Sequence, residues 1–558
     1  MVISDQDLAR LLTKMGLLDE KKIKEVQEYM KNASASFDDG LLQLNIISDE
    51  QLGITVANYL KIPFVNLSKV SIPQDVFHIV PEKIARKHKV IAFGRDQNGT
   101  KVAMADPKNN EIIALIAQKT ESKVIPYLAT PRDINNTFYI FKKDLQKGFD
   151  ELVKTKIGDK FLKEAPIAQI VDLVIETAYF DKVSDIHIEP QEEDALIRYR
   201  MDGILHDMLT YPKNLHDRIM TRLKVLSRLR TDEHLTPQDG KIRFEIENSY
   251  LDLRLSIIPI VEGEKAVLRL LSSHNQQITL TDLGMSTKDL DLVSKAYAKS
   301  YGMILSTGPT GSGKSTSIYA ILKILNTRAK NITTIEDPVE YRVQGVNQIQ
   351  VNTKTNLTFA SGLRSILRQD PNIIFVGEIR DSETAGIAVN AALTGHLVVS
   401  TLHTNDAATS LPRLVDMKIE PFLVASTINI IMAQRLIRKI CDMCKTTLDL
   451  NYDDLVKNLP EETVKKHFGA NKKIRVYTGA GCKICHNTGY LGRVGIFEVL
   501  EVSKDIRKLI VEKADSDLIS QQAKKEGMIT MLDDGLIKVV QGVTTIQEVL
   551  RVTKVETL

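Results

Sequence analysis

A multidomain α/β fold is predicted by three observations. Apolar runs of strand length are interspersed with helix-patterned segments, a glycine-rich loop joins one such run to one such helix, and 558 residues exceed one core at ~100–200 residues per domain. The loop is Gly308-Pro309-Thr310-Gly311-Ser312-Gly313-Lys314-Ser315-Thr316, between Met303-Ile304-Leu305 and Ile318-Tyr319-Ala320-Ile321-Leu322, and it matches G-x-x-x-x-G-K-[ST]. Glycines let backbone N–H groups converge on phosphate oxygens, Lys314 brings a cation to the β/γ-phosphates, and Ser315 offers a hydroxyl to magnesium. The expected ligands are therefore a nucleoside triphosphate and Mg2+.

Composition narrows the class. With 43% hydrophobic and 26% charged residues the chain reads as soluble and globular. Its 74 basic and 71 acidic residues, net +3, argue against a surface built to wrap nucleic acid, and none is expected as a partner. Met1-Val2-Ile3-Ser4-Asp5-Gln6 turns polar too early for a secretory leader. The longest apolar candidate, Phe422 to Leu436, is interrupted by Ser426, Thr427, Asn429, Gln434 and Arg435. A cytoplasmic protein with at most peripheral membrane contact is expected.

Residues 1 to about 65 predict short amphipathic helices, with Leu8, Leu11 and Leu12 before a stop at Gly16, then Asp19 capping Ile23, Val26 and Met30. From Ile62 to Phe141 the pattern is mixed: strands at Val90-Ile91-Ala92-Phe93, Val102-Ala103-Met104-Ala105 and Lys123 to Tyr127, and a helix from Glu111 to Gln118. Residues 1–141 form the expected N-terminal module. Lysine-rich 142–163, with Gly148 and Gly158, reads as a linker that is helical in part.

The second domain, 164–275, opens with the helix Ile167 to Tyr179. Strands are expected at Ser184–Glu189, Ala195–Arg200, Ile204–Leu209, Lys241–Glu247, Leu251–Ile257 and Ala266–Leu271, with a basic helix from Leu215 to Leu229. In Leu251-Asp252-Leu253-Arg254-Leu255-Ser256, period-two alternation puts Arg254 opposite the leucines; Arg269 is placed likewise.

The third domain, 276–558, holds the loop. Two strands, Ile332 to Glu340 and Asn372 to Asp381, end in acids, as metal-assisted phosphoryl transfer requires: one carboxylate for the magnesium shell and one to polarise the attacking water. Gly377 stands where a Walker B aspartate is common, so magnesium falls to Ser315 with Glu378 acting through water, and the choice of base between Glu336 and Glu378 is open. Arg364 and Arg368 share a face of a helix spanning Thr358 to Gln369. His396 and His403 bound one more strand. Cys441-Asp442-Met443-Cys444 and Cys482-Lys483-Ile484-Cys485 predict two knuckles completing a tetrahedral zinc site within 438–492. Ile496 to Val552 is expected to be helical.

These motifs resemble the secretion ATPase superfamily, and within it the type IV pilus assembly and type II secretion ATPases. The resemblance rests on Ser184-Asp185-Ile186-His187-Ile188-Glu189-Pro190, Arg198-Tyr199-Arg200-Met201-Asp202-Gly203, Pro237-Gln238-Asp239-Gly240, the Walker A loop, an Asp box at Ile335 to Glu340, Gly377-Glu378, a His box from His396 to His403, and the four cysteines. It implies a RecA-like ATPase domain beside a PAS-like second domain in a homohexamer, with ATP between the two large domains. Arg254 and Arg269 then reach the nucleotide, Arg364 and Arg368 assist, and His396 and His403 take part in the switch between nucleotide states. The implied partner is an inner-membrane platform protein that extracts pilin subunits; protein export is the alternative. Some members bind cyclic di-GMP through a repeated R-L-G opening in the N-terminal module. Asp7-Leu8-Ala9 and Phe37-Asp38 depart from it here, so that ligand is not expected.

Overall fold

The computed structural model describes residues 3–33, 36–43, 46–70, 72–138, 145–154, 166–246, 249–271, 279–469, 473–482 and 485–553. They form two compact units, Val65–Gln276 on the one hand and Met1–Phe64 with Gln277–Leu558 on the other.

In the first of these, β1 (Val90–Asp96), β2 (Gly99–Met104) and β3 (Val124–Leu128) form a small sheet, β1 antiparallel and β3 parallel to β2. The helix Asn110–Thr120 supplies the crossover that a parallel pair needs. The PAS-like part is an antiparallel sheet of β4 (Asp185–Pro190), β5 (Asp194–Met201), β6 (Ile204–Pro212), β7 (Gln238–Ile246), β8 (Ser249–Ile260) and β9 (Gly263–Leu271), ordered β6-β5-β4-β9-β8-β7. One face packs on the helices Ile167–Phe180 and His216–Ser227. Alternation holds along β8, where Leu251, Leu253, Leu255 and Ile257 are buried and Asp252 and Ser256 exposed.

Part of the expected linker is helical. Leu145–Lys154 is a helix whose Leu145, Phe149 and Leu152, four and three apart, pack into this core. Residues 142–144 and 155–163 of the expected linker lie outside the described residues.

The other unit contains the helices Asp5–Lys14, Glu20–Ala33, Phe37–Gln43 and Asp49–Leu60, with Ser48 forming a capping box. Its RecA-like sheet comprises β10 (Gly302–Thr307), β11 (Ile332–Glu336), β12 (Asn347–Gln350), β13 (Ile373–Val376), β14 (Leu397–Leu402) and β15 (Ile428–Ile440). Between β15 and the last strand the chain makes a hairpin of β16 (Lys445–Asn451) and β17 (Lys473–Gly479), and β18 (Tyr490–Glu501) then closes the sheet. The order is β12-β11-β13-β14-β10-β15-β18, parallel except for β18. All residues of β10, β13 and β14 are buried, as expected of parallel strands covered on both faces. One expectation fails here: Ile496 to Glu501 is strand, not helix. Its buried run of Val494, Ile496, Phe497, Val499 and Leu500 is rich in β-branched residues and pairs with β15, and the helices begin only at Lys504.

Candidate active site and metal centre

The phosphate loop leaves the C-terminal end of β10 and enters the helix Lys314–Leu325 at Gly313, which has φ 91°. Gly308, at φ 145°, has no room for a side chain: a Cβ there would lie 2.6 Å from Gln434 O and Ser312 Oγ. Gln434, buried on neighbouring β15, fixes the loop from behind. Its Nε2 donates to Ser312 O at 2.8 Å, and its Oε1 accepts from Ser317 Oγ at 2.8 Å. Lys314 Nζ donates to the carbonyls of Gly308 (2.7 Å) and Pro309 (3.0 Å), and burial pushes its pKa down to about 8 against the pull of Glu378. Ser312 Oγ is buried without a hydrogen-bond partner among the described residues. A desolvated ammonium held only by carbonyls, an orphaned hydroxyl and a helix N-terminus together suit a phosphate chain. Ser315 follows, half-buried, in the first turn of the helix.

The two candidate acids have different surroundings. Glu336 ends β11 fully buried and receives hydrogen bonds from Tyr319 Oη, Thr334 Oγ1 (2.5 Å) and Gln348 Nε2 (3.2 Å); burial lifts its carboxyl above the ordinary range. Glu378 lies two residues beyond β13 with 12% of its side chain exposed, between Arg380 Nη2 at 2.7 Å and His403 Nε2 at 3.1 Å. Gly377 has a structural reason for lacking the aspartate: a Cβ there would come to 3.2 Å from Glu336 Cα and Ile335 O. Glu340, not singled out above as a candidate, is exposed, and its charge acts on Glu336.

The histidines are separated by the strand they bound. β14 runs parallel to β10, pairing Gly302 with Leu397 and Thr307 with Leu402. His403 thus emerges at the phosphate-loop edge. His396 lies at the opposite edge, about 20 Å away at ~3.3 Å per residue, where its Nδ1 meets Ala391 O at 2.9 Å beneath the helix Ser382–Leu393. The structure therefore does not bring His396 to the loop.

Arg364 pairs with Glu383, and Arg368 donates to Arg364 O (3.0 Å) and Ser365 Oγ (3.1 Å); both arginines are exposed. The helix itself spans Phe359–Ile366, with Thr358 as its cap. Arg254 and Arg269 face each other across β8 and β9, on the sheet surface opposite the buried leucines. With Lys241 they line an open concavity of about 470 Å³. Asp185 holds Arg269 Nε at 2.9 Å and approaches Arg200 Nε at 3.6 Å. Tyr319, Arg380, Gln434, Arg435 and Asp185 escaped the sequence reading as parts of the site. For Gln434-Arg435 the signal was present, two adjacent polar residues inside an apolar strand.

All four cysteine Sγ atoms lie within 4.8 Å of one another, Cys441 to Cys482 at 3.9 Å, Cys444 to Cys485 at 3.8 Å and Cys482 to Cys485 at 3.7 Å. Four thiolates on a tetrahedron about zinc, at ~2.3 Å from the metal, stand about 3.8 Å apart, so the donor set fits that ion. Cys441 and Cys444 bracket the turn from β15 into β16, and Cys482 and Cys485 lie between β17 and β18. Backbone N–H groups of Cys482 (3.2 Å) and Gly489 (3.3 Å) donate to Cys485 Sγ and hold that thiol below its ordinary pKa.

A parallel sheet carrying a Walker A loop, with acids at the same end of two further strands, β11 and β13, defines a P-loop ATPase. The type II/IV secretion system protein family matches residues 160–551, and the chain belongs to that family of secretion ATPases; the MshEN domain matches residues 60–138. The chain is 35% identical to the type IV pilus assembly ATPase PilB of Myxococcus xanthus over 562 residues, covering 97% of this chain and 98% of that one. It is 37% identical to PilB of Pseudomonas aeruginosa, covering 98% of each. The type II secretion system protein E of the same organism is 43% identical over 415 residues, 74% of this chain and 80% of its own. Among solved structures, the ATPase DotB of Legionella pneumophila superposes with a TM-score of 0.53 at 21% identity, over 69% of this chain and 95% of its own, a likeness of fold. The protein hydrolyses ATP, as its family does.

Proposed function

We propose that this ATPase is the homohexameric motor of type IV pilus assembly, driving an inner-membrane platform protein that adds pilin subunits to the fibre. The observation that carries this reading is end-to-end similarity to pilus assembly ATPases, over 97–98% of both chains, N-terminal module included. Type II secretion is the second reading, favoured by the higher identity to protein E over the 74% of this chain that it matches. Among the described residues no helix is long and apolar enough to cross a membrane, which fits peripheral attachment at the cytoplasmic face.

Within the site, Lys314 and the loop amides bind the phosphates. Ser315 would hold Mg2+, with Glu378 reaching it through water, and the ion would neutralise charge developing in phosphoryl transfer. Glu378, with an edge open to solvent, polarises the attacking water, and His403 and Arg380 orient it. Glu336, fully occupied by three donors, is a structural hub. Arg254 and Arg269 supply the transition-state cations, with Arg364 and Arg368 assisting, and the cysteines hold structural zinc. Cells lacking the chain should lose surface pili while exporting extracellular enzymes normally; intact pili with blocked export would assign it to type II secretion.

A further inference from the structure

We infer that Arg435 is a positioning residue that couples the phosphate loop to Glu378 through the segment His403–Ala407. The inference rests on the assignment of Glu378 as the group that activates water.

Arg435 follows the loop anchor Gln434 on β15, on one side of β10, and reaches to the segment that leaves β14 on the other side. Its Nη1 donates to Gln434 O at 3.3 Å and its Nη2 to Asn405 O at 2.9 Å. A Cβ placed on Gly308 would lie 3.2 Å from Nη1, so the guanidinium is packed against the base of the phosphate loop. Its hydrogen bonds go to neutral oxygens, although it is half-buried, and Asp406 and Glu498 act on it as charges from further off. A planar fork reaches Gln434 O and Asn405 O from two Nη donors held at a fixed separation, whereas a lysine offers a single nitrogen on a flexible stem.

The segment it grips is tied down at three further residues. Thr404 N donates to Thr307 Oγ1 at 3.0 Å, at the last residue of β10. Ala407 N donates to buried Glu498 Oε1 at 3.0 Å, on β18. His403, at the head of the segment, holds Glu378 Oε2 at 3.1 Å. A chain of direct contacts therefore runs from the loop base through Arg435 and residues 403–407 to the carboxylate, and a shift of the loop on binding phosphate reaches Glu378 by this route.

A double-mutant cycle on the full-length chain tests this. Arg435→Ala is expected to lower kcat about tenfold, with KM for ATP within about threefold, in the wild-type background, and less than about threefold in a His403→Ala background. Arg435→Lys, which keeps charge and stem but loses the fork, is expected to follow Arg435→Ala and serves if the alanine variant does not fold. Equal factors in both backgrounds, or a kcat within threefold of wild type for the folded variant, overturn the inference. A Glu378→Gln control separates the two claims. If it retains turnover, the assignment of Glu378 fails and the inference with it; if it is inactive and the cycle is additive, the inference alone fails.

Discussion

Glu378 Oε2 accepts a hydrogen bond from His403 Nε2 at 3.1 Å, joining the end of β13 to the end of β14 at the phosphate-loop edge of the sheet. That pairing distinguishes the two histidines and the two candidate acids at once. Of the four side chains, His403 and Glu378 meet at this edge, Glu336 is caged, and His396 is at the far end of its strand.

Glu336 should behave as part of the core. Tyr319→Phe removes a donor from its buried carboxylate, at a cost of about 1–3 kcal/mol. The expected outcome is a lower Tm by differential scanning calorimetry with turnover retained well below that Tm. A variant as stable as wild type contradicts the hub role.

Binding of ATP should take up a proton above pH 8. Burial lowers Lys314 to about 8 in the free chain, and a phosphate chain beside it raises that value, so the free protein is increasingly deprotonated above pH 8 while the bound one is not. Apparent affinity should therefore fall as pH rises through 8. Titration calorimetry in buffers of different ionisation enthalpy should show Lys314 contributing little uptake at pH 7 and a larger one at pH 9, abolished in Lys314→Arg. Lys314→Ala should lose nucleotide binding and activity together.

The cysteine cluster should carry about one zinc per chain by elemental analysis of untagged protein. Structural zinc contributes on the order of 10 kcal/mol in small peptides at neutral pH, so Cys444→Ser or a strong chelator should expose 438–492 to protease while the phosphate loop still binds nucleotide. Protein prepared without chelator and found free of zinc would contradict the site.

Arg254→Ala or Arg269→Ala should depress turnover at least about tenfold with ATP affinity and hexamers retained, since a cation at the transition state is worth ~10³–10⁵ in other phosphoryl-transfer enzymes. Arg269→Ala also strips buried Asp185 of its closest cation and should lower stability, so turnover of both variants is compared well below their Tm. Turnover within tenfold of wild type, measured on intact hexamers, would make them surface residues.

Local patterns carried much of the architecture: the Walker A loop, the paired C-x-x-C knuckles and the alternation that turned Arg254 and Arg269 outward each lie within one short stretch. What remained hidden depends on pairing between distant segments. The direction of β14 relative to β10 decides which histidine reaches the loop. The cage around Glu336 needs Tyr319, seventeen residues away, and Gln348 on β12. Gln434 and Arg435 read as interruptions of an apolar run, because only the order of strands shows β15 beside the phosphate loop. The part of β18 from Ile496 passed for a helix because its buried run, Val494 to Leu500, carries no period-two signal.

The assignment of Glu378 as the group that activates water is tested most directly by Glu378→Gln in the purified chain, comparing ATP binding with phosphate release. The structure leads us to expect affinity within about threefold of wild type and release slowed at least about a hundredfold, as for loss of a general base. Release at near the wild-type rate, with Glu336→Gln or Glu340→Gln inactive though folded, would contradict the account and move the base to the Asp box.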